Sequence, residues 1–204
     1  MTVKTRTARV AKRTEWEQRD ERRRRNWIIV GVLGVMAFVG MLGYLIYQQS
    51  QPVPHPGQAV PIQGRNHIPV GEPHDPYNSE PPSSGPHYDT PADAGFYDVA
   101  PVDEYLVHSM EHGYVIIWYN CAQYTTGSCD DLKAKVKEVM GAAGVSAITG
   151  TIKLIGVPRP NQKTVIALSA WGRIDILQSF NRQEILNFIH AWRDGPEAPE
   201  PGLP

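Results

Sequence analysis

The feature that most constrains this chain is an uncharged apolar run near its N-terminus. Residues 26–47 read NWIIVGVLGVMAFVGMLGYLIY, 22 residues without a single charge. As an α-helix, at about 1.5 Å per residue, the run is about 33 Å long, enough to cross a hydrocarbon core about 30 Å thick. A cleavable signal peptide has a shorter apolar region, and a soluble core helix usually keeps a polar face. The run therefore predicts a retained transmembrane helix over 26–47, with the lipid bilayer as its partner.

The charges on the two sides of this run differ in sign. Residues 1–25 hold ten Lys or Arg against four acidic residues, whereas residues 48–204 hold ten basic and seventeen acidic residues. The positive-inside rule places the basic side in the cytoplasm. We expect a cytoplasmic tail over 1–25 and an extracytoplasmic C-terminal part, held at the cell membrane by a single pass. The acidic exterior argues against nucleic acid as a partner.

Two cysteines, Cys121 and Cys129, lie beyond the apolar run, in a compartment where disulfides persist. Their spacing of eight differs from that of a Cys-x-x-Cys redox motif. One interpretation is a structural disulfide that closes a small loop. Free thiols or a thiolate metal site are the other interpretations.

Prolines set apart the segment that follows the apolar run. Residues 51–101 contain twelve of the eighteen prolines. Proline fixes φ and donates no backbone hydrogen bond, so this segment is expected to be extended or rich in turns. We expect a stalk over 48–66. Interleaved histidines and aromatic residues predict that the next part, 67–101, is ordered and packs onto the domain as a wrapping segment.

Patterns typical of strands appear from residue 102 onward. The β-branched and aromatic run Tyr114–Tyr119 predicts a strand. Three further strands are expected over 151–157, 164–171 and 174–177. Turn residues separate these three runs, and they indicate a small sheet of about four strands.

Two helices are expected to cover this sheet. Ser128 and Asp131 have the spacing of a capping box at the start of the first helix. Asn181 is a candidate N-cap for the second, whose apolar face is formed by Ile185, Phe188, Ile189 and Trp192. The elements predict an α+β extracytoplasmic domain over 67–195, followed by a disordered tail over 196–204. A thioredoxin-like arrangement, which shares the ββα ending, is the alternative fold.

The residues best suited to chemistry lie close together in the segment His108–His112. In a helix, His108, Glu111 and His112 share one face at i, i+3 and i+4, the spacing of the inverted zincin motif H-x-x-E-H. In a strand, His108, Met110 and His112 project together. Two imidazoles with a carboxylate suit zinc, whereas two imidazoles with a thioether suit copper. Both readings are compatible with the sequence.

Two histidines of the wrapping segment, His74 and His87, are candidates to complete such a metal site. The alternative is that the histidines and Glu111 only hydrogen-bond the proline-rich segment onto the sheet, since buried polar groups need partners.

Four phrases of the sequence resemble a known family. They are Pro82-Ser-Ser-Gly-Pro-His87-Tyr88, Gly95-Phe-Tyr97, Leu106-Val-His-Ser-Met-Glu-His-Gly113 and Ala170-Trp-Gly172. Over roughly residues 65–195, the chain resembles the bacterial membrane-anchored family catalogued as domain of unknown function 3105. The resemblance implies a bacterial envelope protein, with no established activity. Since leucine is common in the family at the position of Met110, it also implies a shared site on His87, His108, Glu111 and His112.

Three kinds of function agree with these observations. We favour a non-enzymatic module that presents a groove or an edge strand to an envelope protein partner. The alternatives are a His-rich envelope protein that binds copper or zinc, and a metallohydrolase or other enzyme. The sequence identifies no nucleophile, no cofactor loop and no substrate pocket, so we predict no catalytic residue and no organic cofactor.

Overall fold

The computed structural model describes residues 3–50 and 55–203, with side chains for 22–45 and 55–203. The chain divides into two compact units, residues 1–54 and residues 55–204. Part of the expected tail over 1–25 and part of the expected stalk over 48–66 lie outside the described residues.

The first unit contains one long helix, α1, Val3–Ser50. Within it, Arg22–Leu45 is a stretch of 24 residues that contains an 18-residue segment with a mean hydropathy of 2.4, and its side chains are exposed. This stretch is long and apolar enough to cross a membrane. A signal sequence near the N-terminus meets the same two criteria.

The second unit is built from three further helices and a set of short strands. The helices in its described part are α2 Asp103–Glu111, α3 Cys129–Ala143 and α4 Arg182–Trp192, with a single 3-10 turn at Cys121–Gln123. The strands described there are β1 Gln58–Ala59, β2 His67–Ile68, β3 His87–Tyr88, β4 Gly95–Phe96, β5 Val115–Tyr119, β6 Leu154–Pro158, β7 Ile166–Ala170 and β8 Arg173–Leu177.

Six of these strands form one mixed sheet in the order β1-β8-β7-β5-β6-β4. Strand β5 pairs in parallel with β6 and antiparallel with β7, and β7 continues into the antiparallel hairpin with β8. The remaining two strands, β2 and β3, pair with each other in parallel. The four strands that the sequence predicts form the centre of the sheet, and two-residue strands extend it at both edges.

Side-chain alternation along the strands divides the core between the two faces of the sheet. On β5, Val115, Ile117 and Tyr119 belong to the apolar cluster that includes α3 and α4. Ile116 and Trp118 belong to a second cluster, which includes α2. Helices α3 and α4 therefore cover one face, and α2 with the wrapping segment covers the other.

The local signals for α3 and α4 are confirmed. The Ser128 hydroxyl accepts from the Asp131 amide at 3.1 Å and the Asp131 carboxylate accepts from the Ser128 amide at 2.8 Å, which completes the capping box. Asn181 caps α4 by accepting from the Glu184 amide at 3.2 Å. The four apolar residues predicted for the inner face of α4 are all buried. The mixed α+β class is confirmed as well.

The expected stalk and tail differ from the structure. From residue 55 onward the supposed stalk lies on the domain, because β1 pairs with β8 and the indole of Trp192 donates to the Pro56 carbonyl at 2.8 Å. In the supposed disordered tail, Ala198 is buried and the Glu200 amide donates to the Glu111 carbonyl at 3.0 Å. The folded unit therefore includes residues 55–66 and the C-terminal segment through residue 203.

Candidate metal centre

The wrapping segment contributes two histidines through the parallel pair β2 and β3. His67 and His87 are direct partners in this ladder, so their side chains project from the same face. Their ring centroids are 4.8 Å apart. His87 is fully buried, whereas 46% of the His67 side chain is exposed. One imidazole is therefore held inside the domain and the other remains accessible to solvent.

Helix α2 contributes the other candidate ligands. The helical reading of this segment is the one observed, and His108, Glu111 and His112 lie at i, i+3 and i+4 at its C-terminal end. All three are buried. The ring of His108 stacks on that of His67 with centroids 4.9 Å apart, and it meets His87 edge-on at 5.0 Å. Histidines from two distant segments thus meet; the histidine cluster is defined as His67, His87, His108 and His112 with Glu111.

Backbone carbonyl groups orient two of these rings. The Nδ1 of His87 lies 2.8 Å from the Gly85 carbonyl oxygen, and the Nδ1 of His108 lies 2.5 Å from that of Tyr88. A carbonyl oxygen only accepts, so each Nδ1 carries the proton that is donated. In the neutral ring, the other nitrogen, Nε2, then has the lone pair that a metal ion needs. This is the arrangement by which histidine ligands are held in a single tautomer.

Carboxylates complete the arrangement around the remaining nitrogens. Asp89 Oδ1 lies 3.2 Å from the Nδ1 of His67, so this ring is also held through Nδ1. Glu111 Oε2 lies 2.8 Å from His87 Nε2 and 3.4 Å from His67 Nε2. One ligand atom each from His67, His87 and His108 lie within 4.8 Å of one another. These three histidines are able to form a metal site, beside a buried carboxylate.

Burial also sets the protonation behaviour of His108. Desolvation lowers the pKa of His108, and the neighbouring imidazoles of His112, His87 and His67 lower it further. The hydrogen bond to the Tyr88 carbonyl raises that pKa but does not cancel the decrease. A histidine with a lowered pKa is neutral at physiological pH, which is the form that binds metal ions.

The fourth histidine of the cluster, His112, lies beside His108 and Glu200. His112 Nε2 lies 3.1 Å from His108 Nε2 and 3.7 Å from Glu200 Oε2. His112 is thus placed on the side of His108 where the C-terminal segment passes.

Two residues predicted as ligands lie elsewhere. His74 Nε2 lies 3.3 Å from Glu104 Oε1, and its Nδ1 lies 2.7 Å from the Asp75 carbonyl oxygen. Met110 is fully buried in the apolar cluster under α2. In a helix, a residue two positions after His108 points to a different face, so the thioether faces the core. The structure therefore does not bring these two residues into the histidine cluster.

The sequence does not predict His67 as a member of the cluster, or Asp89 and Glu200 as its neighbours. His67 belongs to the predicted wrapping segment, but its pairing with His87 joins positions 20 residues apart and has no local signal. Asp89 lies two residues after His87, so its proximity could have been inferred from strand periodicity alone. Glu200 falls in the segment expected to be disordered.

The two cysteines form a disulfide, with Cα atoms 4.9 Å apart. It joins the turn after β5 to the first residue of α3. The structural interpretation of Cys121 and Cys129 is therefore confirmed. Neither sulfur is a thiolate that could serve as a metal ligand.

Comparison with known proteins identifies one family. The family model described as "Protein of unknown function (DUF3105)" matches residues 67–204. No curated protein and no solved structure matches the chain. The thioredoxin-like alternative for the fold therefore stays a prediction.

The lowered pKa of His108 predicts a loss of stability in mild acid. Histidine in an unfolded chain has a pKa near 6.5, so below that pH His108 is protonated in the unfolded chain while it is still neutral in the folded chain. We expect the free energy of unfolding of the metal-free, full-length protein in detergent to fall as the pH drops from about 7.5 to about 5. Below the folded-state pKa of His108 this contribution stops changing. Urea titrations at each pH, with a chelator present, measure this free energy of unfolding.

The matched variant is His108→Asn, whose amide N–H is still able to donate to the Tyr88 carbonyl. It should lose less stability than the wild type over the same pH interval. Parallel pH profiles for the two proteins would contradict the assignment of this effect to His108.

Proposed function

This chain belongs to the DUF3105 family, and from that starting point we propose that it is a membrane-anchored envelope protein whose outer domain binds a divalent transition-metal ion. The observation that supports the proposal best is the convergence of the ligand atoms of His67, His87 and His108 within 4.8 Å of one another. Glu111 adds a carboxylate at 2.8 Å from His87 Nε2. An ion bound there replaces the direct contact between these two groups.

The donor set favours ions of borderline softness. Three imidazoles and a carboxylate suit Zn²⁺ or Cu²⁺, whereas Cu⁺ favours thioether or thiolate sulfur. With ligand distances of about 2.0–2.1 Å in tetrahedral geometry, two donors on one ion are about 3.3–3.4 Å apart. The 4.8 Å spread of the three histidines therefore requires a contraction of roughly 1.4 Å on binding. The accessible ring of His67 is the one best able to move.

The alternative role, in which the histidines only hydrogen-bond the wrapping segment in place, accounts for the contacts of individual rings. His108 bonds the Tyr88 carbonyl through Nδ1, and His87 contacts Glu111 through Nε2. This role gives no reason for imidazoles from three separate elements to converge within 4.8 Å of one another. Metal binding accounts for both observations, because the Nδ1 contacts orient the rings and leave the Nε2 atoms facing the cluster.

Metal binding is thus favoured over an interaction module without a metal. An envelope protein partner is compatible with it, and so is a metallohydrolase, but neither receives support of its own from residues 55–203. Metal binding also has a structural consequence. Because the ligands come from β2, β3 and α2, the free energy of metal binding stabilises the folded position of the proline-rich segment.

The membrane part of the proposal is supported by charge and length. Arg22–Leu45 has the length and hydropathy of a span. Ten basic residues precede residue 26, which favours a cytoplasmic N-terminus and an extracytoplasmic metal-binding domain. The Cys121–Cys129 disulfide is compatible with that compartment.

Removal of two buried histidines tests the metal site. We expect the double variant His87→Ala, His108→Ala of the full-length protein in detergent to bind Zn²⁺ at least about a hundredfold more weakly than the wild type, since outer-shell changes alone cost 10- to 100-fold. Isothermal titration calorimetry measures the affinity. The matched control is His74→Ala, which removes a histidine of the same segment outside the cluster and should bind like the wild type. Equal zinc affinity for the double variant and the wild type would reject the proposed site.

Protease protection tests the orientation. We expect protease added to intact spheroplasts to remove the domain after residue 55, while an epitope tag at residue 1 stays protected until detergent is added. Cleavage of the tag before the domain would show the opposite orientation. Recovery of the full-length protein in the soluble fraction would exclude a retained span.

A further inference from the structure

The histidine cluster and the neighbouring Glu200 contain more donor atoms than one ion needs, and these donors fall into two sets. Glu111 Oε2 lies near the Nε2 atoms of His87 and His67, at 2.8 and 3.4 Å. On the other side, His112 Nε2 lies 3.1 Å from His108 Nε2 and 3.7 Å from Glu200 Oε2. Each set consists of two imidazoles and one carboxylate.

We propose that the domain holds a second metal ion beside the first, on His108, His112 and Glu200. This inference rests on the proposed function, and it assigns the first ion to His67, His87 and Glu111. Two histidines with one carboxylate form a recognised ligand set for zinc and for iron(II), with positions left for water or substrate.

The short distance between His108 and His112 is the first support. His108 donates from Nδ1 to the Tyr88 carbonyl, so its Nε2 faces His112 with a lone pair. The hydrogen bond of 3.1 Å between the two Nε2 atoms then has His112 as the donor. A metal ion replaces that proton, and His112 binds as the tautomer that carries its proton on Nδ1. The helical spacing of four keeps both rings on the same side of α2.

The anchoring of Glu200 is the second support. Its amide donates to the Glu111 carbonyl at 3.0 Å. The ammonium of Lys153, which is fully buried, donates to the carbonyls of His112 and Pro201, each at 2.7 Å. Lys153 thereby holds the residue after Glu200 against the end of α2. The Glu200 side chain is 45% exposed, so its carboxylate approaches from the solvent side and is free to close the short remaining gap to an ion.

His108 is the residue that both sets share. Its ring lies 4.9 Å from that of His67 and 4.7 Å from that of His112, between centroids. Because Nε2 has a single lone pair, His108 binds one ion at a time. When one ion is bound, His108 completes the ligand set of His67, His87 and Glu111. When the second ion binds, His108 becomes a ligand of that ion together with His112.

The number of ions bound tests this inference. Full-length protein in detergent is loaded with Zn²⁺ alone, dialysed against metal-free buffer and analysed for zinc per chain by mass spectrometry. We expect about two zinc ions in the wild type and about one in the double variant His112→Gln, Glu200→Gln. His190→Gln, which removes an exposed histidine of α4, should keep two. Thermal unfolding of each variant reports whether it is folded.

The outcomes separate the two claims. One zinc ion in the wild type, unchanged in the double variant, overturns the second site and leaves the proposed function standing. No zinc in the wild type overturns both.

If the double variant fails to fold, the wild type loaded with Co²⁺ decides the question. Two Co²⁺ ions in such a site are about 3.5–4 Å apart and couple magnetically, which weakens their electron paramagnetic resonance signal relative to protein loaded with one equivalent. A signal that grows in proportion to added Co²⁺ up to two equivalents contradicts adjacent sites.

Discussion

The hydrogen bonds from imidazole Nδ1 atoms to backbone carbonyls are the interactions on which the rest of this site depends. Eight of the twelve prolines in residues 51–101 lie in the wrapping segment and leave it poor in backbone donors, so side-chain hydrogen bonds supplement the β4–β6 pairing in holding it. His108 reaches across from α2 to the Tyr88 carbonyl, and the Ala92 amide donates to the Ser109 hydroxyl at 3.0 Å. Arg159, directly after β6, pairs with Glu80 of the wrapping segment and with Asp103 of α2. The same ties that dock the segment also fix which nitrogen of each ring faces the cluster.

Elements with a strong local signal were predictable from the sequence, and those made by distant pairing were not. Strand β5 and helices α3 and α4 follow from periodicity and caps within about fifteen residues. Strands β1 to β4 are two residues long and exist only through their partners, so no local pattern marks them. Helix α2 has nine residues, and Val102 at its N-cap provides no side-chain hydrogen bond. Its helical form depends on packing against the sheet and on β3.

The part of the candidate site that lies in one motif was predictable, as was His87 of the wrapping segment. The spacing of His108, Glu111 and His112 predicted a common helical face, and the structure has that face. The competing strand reading would have aligned Met110 with the histidines; the helix instead turns Met110 into the core. His67 joins through a pairing in space, which spacing along the chain does not reveal.

The central claim is that imidazole nitrogens from β2, β3 and α2 bind a metal ion without help from sulfur. Zinc K-edge X-ray absorption on the zinc-loaded full-length protein tests it most directly. The account predicts a first shell of nitrogen and oxygen at about 2.0–2.1 Å, with the outer-shell scattering of imidazole rings. A sulfur shell at about 2.3 Å, or a nitrogen and oxygen shell without imidazole scattering, would contradict it.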